Sequence, residues 1–176
     1  MQSHTVNLGT SSPRTRLRFH SPHPTHYTGN MKEHEAFELA ITVQPADIDQ
    51  LGHVNNVVYV RWIQDVAIAH WSTLATAEEQ QKLLWVITRH EIDYLRPAFA
   101  GDELIARTWV GEADGMSFPR HTEIVRRAGR KLLIRARTLW CPVDAKTLRP
   151  MEPGEDIRAR FSGAPTKDEF FSQDVF

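Results

Sequence analysis

The sequence predicts an α+β domain in which an antiparallel sheet of about five strands wraps around one long central helix. One apolar stretch at helical spacing, residues 57–74, is too long for a typical strand. Five other segments alternate apolar and polar side chains, which is the pattern of half-buried strands. Short turns join four of these segments in a row, which indicates a meander that the helix covers on one face.

Composition and charge exclude several classes of protein. A chain of 176 residues with 41% hydrophobic residues is long enough for one domain with a sizeable core. Its net charge of −1 gives no basic field, so we expect neither nucleic acid nor an anionic membrane as a partner. Cys141 is the single cysteine, which excludes an internal disulfide and favours a cytoplasmic location. Arg61 and Asp65 interrupt the apolar stretch, so it does not predict a membrane span.

The two ends of the chain differ from its centre. Residues 1–33 are predicted to be a disordered N-terminal extension, because residues 1–30 carry no Asp or Glu and show no apolar periodicity. An organelle leader and an extension upstream of a start at Met31 are the two interpretations. The absence of an amphipathic pattern favours the second. We assign residues 34–162 to the domain and residues 163–176 to a C-terminal tail.

The strands and the helix follow from local patterns. Residues 37–43 alternate and form the first predicted strand, and Asn55 or Asn56 is a natural N-cap for the helix. The helix is predicted to be buried nearly all round, with a narrow polar stripe. The remaining strands are predicted at residues 84–94, 103–110, 118–127 and 132–143.

Side-chain faces are predicted from the same alternation. In the second strand Val86, Thr88 and His90 fall on one face, together with Ile92 and Tyr94. The arginines of the last two strands are predicted to point outward, at positions 120, 126, 127, 135 and 137. A sheet of this size has exposed edges, so edge-to-edge pairing in a dimer is expected.

Two carboxylates, a glycine, a histidine and two asparagines lie together in residues 47–56, directly before the helix. The run begins like a calcium loop, but Leu51 and Val58 occupy two ligand positions, and a zinc site would need further ligands. No metal or cofactor is therefore expected. Aspartate is ionised at neutral pH, and the first amides of a helix lack intrahelical acceptors and carry partial positive charge. Residue chemistry alone leaves two interpretations open, a reactive site and a simple turn with a cap.

Residues 47–62, Asp-Ile-Asp-Gln-Leu-Gly-His-Val-Asn-Asn-Val-Val-Tyr-Val-Arg-Trp, resemble the hotdog-fold acyl-CoA thioesterases of the 4-hydroxybenzoyl-CoA thioesterase type. They also resemble the acyl-ACP thioesterases of plants, which share the His-Val-Asn-Asn run. The likeness continues through residues 90–97 and 101–104 and covers roughly residues 36–160. The resemblance implies a hotdog fold with the same order of one strand, one helix and four strands.

The resemblance also implies roles for residues of the motif. Asp49 corresponds to the catalytic carboxylate, acting as nucleophile or general base on the thioester. Asn56 offers a backbone amide that polarises the thioester carbonyl, and His53 is a further catalytic candidate. Asp47 is expected to shape the turn. The predicted substrate-binding residues are Gly52, Asn55, Tyr59, Arg89 and Arg126, of which the two arginines would hold nucleotide phosphates.

The function implied by the resemblance is hydrolysis of an acyl-CoA, or an acyl carrier protein thioester, to a free acid and a thiol. A homodimer or homotetramer without metal or organic cofactor is expected. Two alternatives remain open at this point. One is a hotdog enoyl-CoA hydratase that uses an Asp–His pair, and the other is a non-catalytic module that binds acyl-CoA.

Overall fold

The structure is a computed structural model that describes residues 36–161, so the predictions for residues 1–33 and 163–176 lie outside the described part. Three helices and five strands form the domain, together with two short 3-10 turns at Pro45–Asp47 and Ala128–Arg130. The helices are α1 (Asn56–Leu74), α2 (Ala77–Lys82) and α3 (Glu155–Phe161). The strands are β1 (Phe37–Thr42), β2 (Leu83–Tyr94), β3 (Glu103–Val110), β4 (Phe118–Arg126) and β5 (Lys131–Asp144).

The five strands make one antiparallel sheet in the order β1-β3-β4-β5-β2, and α1 packs against one face of it. The helix buries an apolar side that includes Ile63 and Val66, both fully enclosed. Strand residues that meet this side alternate with solvent-facing ones, for example Leu104 and Ala106 in β3. The predicted fold class, a hotdog-type sheet around one central helix, is thereby confirmed.

The prediction that Val86 shares a face of β2 with His90 and Ile92 is wrong, because β2 contains a bulge. The register of β2 against β5 shifts between Ile87 and Arg89, so Thr88 is an extra residue opposite no partner. Because side chains alternate with a period of two, one inserted residue moves every later side chain to the other face. Val86 is consequently exposed on the outer face, whereas His90 and Ile92 turn inward toward Thr138 and Ala136.

The prediction that the arginines of β4 point outward is wrong for Arg126 and most clearly for Arg120. The strand neighbours of Arg120 across the sheet are Val110 and Thr138, and its side chain is buried on the inner face. Arg126 lies opposite Leu104, on the same inward side at the margin of the sheet. Nearly every residue of β4 is buried, so alternation of polarity along the strand does not reveal which face is inner. Arg135 and Arg137 alternate with buried residues of β5, as predicted.

The helix is also less enclosed than predicted. Val57 and Ile68 are apolar residues of α1 that remain exposed, and Gln64 lies between them on the same stripe. The sheet leaves β1 and β2 as its edges, and β2 is the longer, with 12 residues. A long edge strand and a partly apolar helix stripe are surfaces that a second chain can cover.

Candidate active site

Residues 48–54 form a small hairpin that carries Asp49. Ile48 and Val54 make an antiparallel bridge, and the Asp49 amide donates to the His53 carbonyl at 2.9 Å. The Gly52 amide donates back to the Asp49 carbonyl at 3.0 Å, which closes a three-residue loop. Gly52 has a φ of 81°, a left-handed conformation that glycine adopts without strain. Gly52 therefore closes the turn of the hairpin, while its predicted contact with substrate stays a prediction.

The Asp49 carboxylate is held on one side and open on the other. Its Oδ1 accepts the Leu51 amide at 2.8 Å, and its side chain is 20% exposed. Within residues 36–161, Oδ2 accepts no hydrogen bond, and its nearest basic atom is Nδ1 of His53 at 3.7 Å. One oxygen therefore fixes the orientation of the group, and the other is available to a ligand.

Asp47 is placed for structure, as expected from the sequence. It is 5% exposed, its Oδ1 accepts from Nη2 of Arg61 at 2.6 Å, and its Oδ2 accepts from the Gln44 amide at 2.9 Å. Its carbonyl also accepts the Asn55 amide at 2.9 Å, which ties the turn to the helix start. Sequence reasoning missed the pairing with Arg61, which had been assigned only to a solvated stripe.

The start of α1 lies at the open end of the hairpin. Asn55 is the N-cap, and its side-chain oxygen accepts the Val57 amide at 3.0 Å. In the part of the chain that the structure describes, the Asn56 amide has no hydrogen-bond acceptor, and Asn56 is exposed. An unpaired amide at the positive end of a helix is an electrostatic site for a developing oxyanion.

His53 is half-buried and does not form a hydrogen-bonded pair with Asp49. Its Nδ1 lies 3.3 Å from the Val54 carbonyl oxygen, to which it donates when that nitrogen is protonated. The separation of 3.7 Å from Asp49 Oδ2 exceeds hydrogen-bonding distance. The structure thus brings His53 next to the carboxylate without fixing a role for it.

Tyr59 supports a second loop behind the hairpin. It is buried, and its hydroxyl accepts the Ala98 amide at 3.2 Å, while Val54 donates to the Ala98 carbonyl at 2.9 Å. Burial is the largest effect on Tyr59 and raises the pKa of its hydroxyl above the ordinary value. In this position the phenol braces the hairpin, and its direct contact with substrate stays a prediction.

The two arginines predicted to bind phosphates are both paired with carboxylates. Arg126 donates to Asp102 Oδ2 from Nε at 3.2 Å and from Nη2 at 2.8 Å, and to the Pro97 carbonyl at 3.1 Å. Arg89 is exposed on β2 and pairs with Glu91 at 2.6 Å. Of the two, Arg126 is bound to a loop by three hydrogen bonds, whereas Arg89 makes one surface ion pair that solvent weakens.

Neither a metal site nor a membrane span is found in residues 36–161. No group of three His, Cys, Asp or Glu side chains in this range is arranged to hold a metal ion. None of the helices there combines the length and apolar character needed to cross a bilayer.

A hotdog sheet with a carboxylate at the helix start defines a class of protein, and comparison with known sequences names the family. The Thioesterase-like superfamily matches residues 43–161, more than half of the chain. The chain therefore belongs to this superfamily. The predicted resemblance to hotdog-fold thioesterases is confirmed as membership of this superfamily.

Individual relatives are more distant. A chloroplastic acyl-[acyl-carrier-protein] hydrolase of Cuphea viscosissima is 29% identical over 79 residues, which are 45% of this chain and 19% of that protein. The chain spans less than half the length of the curated relatives that it matches.

Two solved structures illustrate the shared fold. A 1,4-dihydroxy-2-naphthoyl-CoA thioesterase from Synechocystis has a TM-score of 0.62 and 19% identity, covering 72% of this chain and 95% of its own. A thioesterase from Thermus thermophilus, solved with coenzyme A and zinc, has a TM-score of 0.65 and 24% identity, covering 77% and 100%. At these identities the likeness shows the fold alone.

Proposed function

We propose that this protein hydrolyses an acyl-CoA thioester to a free carboxylic acid and coenzyme A, with Asp49 as the catalytic carboxylate. One observation carries the proposal. A hairpin closed by Gly52 holds Asp49 with one oxygen free, beside a helix whose first amide, at Asn56, has no acceptor within residues 36–161. A base and an oxyanion donor are the two groups that hydrolysis of a thioester requires.

The reaction balances with these two groups and one water molecule. In the general-base route, Asp49 takes a proton from water while the water oxygen adds to the thioester carbonyl carbon. The Asn56 amide donates to the carbonyl oxygen, which becomes an anion in the tetrahedral intermediate. The carbon–sulfur bond then breaks, and the proton passes to the thiolate. In the nucleophilic route, an Asp49 oxygen adds to the carbonyl carbon, and the carbon–sulfur bond breaks to release the thiolate and leave an anhydride. Water then hydrolyses the anhydride to the free acid and the Asp49 carboxylate, and the proton released passes to the thiolate.

Surroundings of the site support an acyl substrate and a second chain. Leu51 and Val57 are both exposed and flank the Asp49 hairpin and the helix start. Apolar side chains beside a polar centre suit a ligand with a thioester head and an apolar acyl group. In a homodimer or homotetramer, the acyl group would enter between two chains. The relatives named above make an acyl carrier protein thioester the other form of substrate to test.

The test is a thiol-release assay on a panel of acyl-CoAs with wild type and Asp49→Ala. Removing a general base or nucleophile should lower kcat by about 10²- to 10⁴-fold, with little change in thermal stability. Asp65→Ala is the matched control, because Asp65 is an exposed aspartate of α1 away from the hairpin. Equal turnover by wild type and Asp49→Ala would refute the assignment.

The same panel separates the other two functions. An enoyl-CoA hydratase would remove the enoyl absorbance without releasing thiol. A non-catalytic module would bind acyl-CoA in calorimetry without turnover, and binding would survive in Asp49→Ala. His53 Nδ1 lies 3.7 Å from Asp49 Oδ2, which is too far for a hydrogen bond. This distance favours hydrolysis over a hydratase mechanism that needs a hydrogen-bonded Asp–His pair.

A further inference from the structure

A second site lies further along α1, inside the domain. A cavity of about 200 Å³ opens between the helix and the inner face of the sheet. Its walls are mostly aromatic and aliphatic, and we call it the Arg120 cavity after its one charged residue. The lining that matters here consists of Gln64, Ile68, Trp71, Trp85, Arg120 and Trp140.

Arg120 is a buried cation without a carboxylate partner. It is 7% exposed, and within residues 36–161 no Asp or Glu oxygen lies within 4 Å of its guanidinium. Its Nη1 donates to His70 Nδ1 at 2.9 Å and to Thr108 Oγ1 at 3.2 Å, and both acceptors are neutral. In the described residues, Nε and Nη2 donate to nothing. Those two atoms form the edge of a guanidinium that binds a carboxylate with two parallel hydrogen bonds.

The pKa of Arg120 reflects its burial. Burial lowers the pKa of Arg120 to about 10, and nothing raises it. Burial, and then the charge of Arg120, lower the pKa of His70 to about 4, so the imidazole is neutral at pH 7 and can accept the Arg120 hydrogen bond. A charge buried without a partner is strongly unfavourable, so an anionic ligand would relieve a real energetic deficit.

Trp140 lines the cavity with its indole ring, while its N–H lies outside the reach of a ligand there. The residue is 9% exposed. Its Nε1–H is buried and has no acceptor among the described residues. Trp140 therefore contributes to the apolar wall, and Arg120 is the cation among the lining residues that favours a ligand ending in an acceptor-rich group.

The cavity lies on the path that an acyl group would take from the Asp49 site. Gln64 and Ile68 line it, and they follow Val57 at helical spacing on the exposed stripe of α1. Gln64 is seven residues beyond Val57, which is roughly 10 Å along the helix. An acyl group whose thioester lies at Asn56 can therefore extend along this stripe to the cavity. A site of about 150 Å³ holds a benzene ring, so a cavity of this size takes the end of such a group.

We propose that the Arg120 cavity binds the far end of the acyl group, and that it selects acyl groups that end in a carboxylate. This inference rests on the proposed thioesterase function for the identity of the ligand. Arg120 acts in it as a specificity residue, because it touches the substrate far from the reacting carbonyl. The apolar walls receive the chain, and the guanidinium edge of Arg120 receives the terminal carboxylate.

The first experiment compares matched pairs of thioesters. Hexanoyl-CoA and octanoyl-CoA are each set against the mono-CoA ester of the dicarboxylic acid of equal length, adipic and suberic. We expect wild type to favour the dicarboxylic ester in kcat/KM by at least tenfold, since a hydrogen-bonded charge pair gives that discrimination. Arg120→Met should abolish the preference by lowering kcat/KM for the dicarboxylic esters at least tenfold. Asp65→Ala, at an exposed position of α1 outside the cavity lining, should keep the preference. Arg120→Lys should keep part of the preference, because lysine retains the positive charge but lacks the two parallel N–H donors of the guanidinium.

The second experiment measures binding without turnover. Hexanoate should quench the fluorescence of the tryptophans that line the cavity, with hexanamide, its neutral analogue, binding at least tenfold more weakly. The difference in affinity between hexanoate and hexanamide should vanish in Arg120→Met and persist in Asp49→Ala.

The outcomes distinguish the two proposals. Binding that depends on Arg120 without hydrolysis of any ester would support the cavity site and overturn the proposed function. Hydrolysis with no preference for the terminal carboxylate, or an equal loss of both ester classes in Arg120→Met, would overturn the inference and leave the function standing.

Discussion

At its first turn α1 lies near a partly exposed carboxylate with one free oxygen, whereas along its second half it lies against a buried guanidinium. Asp49 is oriented by one local hydrogen bond from Leu51 and keeps one oxygen free. Within residues 36–161, Arg120 is enclosed by apolar walls and donates only to the neutral acceptors His70 and Thr108. Its guanidinium lies over the Phe161 ring, with the central carbon 6.0 Å from the ring centre. An ion in water needs no partner, but an ion inside a core does. The difference teaches that exposure makes Asp49 available for chemistry, while burial makes Arg120 selective for an anion.

A second contrast lies within the motif itself, between Asp47 and Asp49. Asp47→Ala should lower the free energy of unfolding by about 2 to 3 kcal/mol, because it leaves a turn amide and Arg61 without their acceptor. Arg61 is 56% exposed at its side chain, so the ion pair itself contributes only part of this loss. Urea denaturation measures the change, and Asp65→Ala should stay within about 0.5 kcal/mol of wild type. An unchanged stability in Asp47→Ala would remove the distinction between a structural and a catalytic aspartate.

A change of the opposite sign in the free energy of unfolding is expected for a substitution at Arg120, near the far end of α1. Arg120→Met should raise the free energy of unfolding by about 1 to 2 kcal/mol, since an apolar side chain of similar length replaces an uncompensated buried charge. Denaturation without added ligand measures this, and Arg120→Lys should show no such gain. A marked loss of stability in Arg120→Met would mean that the bonds to His70 and Thr108 outweigh the cost of burial, which would make Arg120 a structural residue.

A third effect concerns the pH dependence of stability and tests the neutral state of His70. The folded protein binds a proton at His70 only near pH 4, whereas the unfolded chain binds it near the ordinary pKa of 6.5. Stability from the neutral imidazole is therefore fully present above 6.5 and is lost as the pH falls from 6.5 toward 4. His70→Gln should show a shallower loss of unfolding free energy over that interval. Identical pH profiles in the two proteins would show that His70 makes no such contribution.

The accuracy of the sequence-based predictions followed the range of the interactions involved. The bounds of β3 were predicted to the residue, and α1 begins one residue earlier than predicted, at Asn56. These elements depend on periodicity and on a cap, both of which act over a few neighbouring residues. The face of Val86 was predicted wrongly because the extra residue at Thr88 reverses the alternation, and a bulge has no reliable polarity pattern.

Predictions for the candidate site were also more accurate for short-range interactions than for long-range ones. Gly52 and the Asn55 cap could be predicted because the Asp49 hairpin is closed by bonds within a few residues of each other. The pairing of Asp47 with Arg61 spans 14 residues and depends on how the hairpin meets the helix, so it was missed. Alternating polarity along β4 could not separate an inward arginine from an outward one when almost the whole strand is buried.

The sequence by itself determined that one long helix follows a polar turn, and that Asp49 lies in that turn, because short-range capping and periodicity specify both. Only the tertiary structure decided which charges became neighbours. His70 and Arg120 are 50 residues apart in the chain, and they meet because α1 packs against the inner face of β4. The cavity with its unpaired cation exists only where helix and sheet enclose it, since burial is a property of the packed layers and not of any single segment.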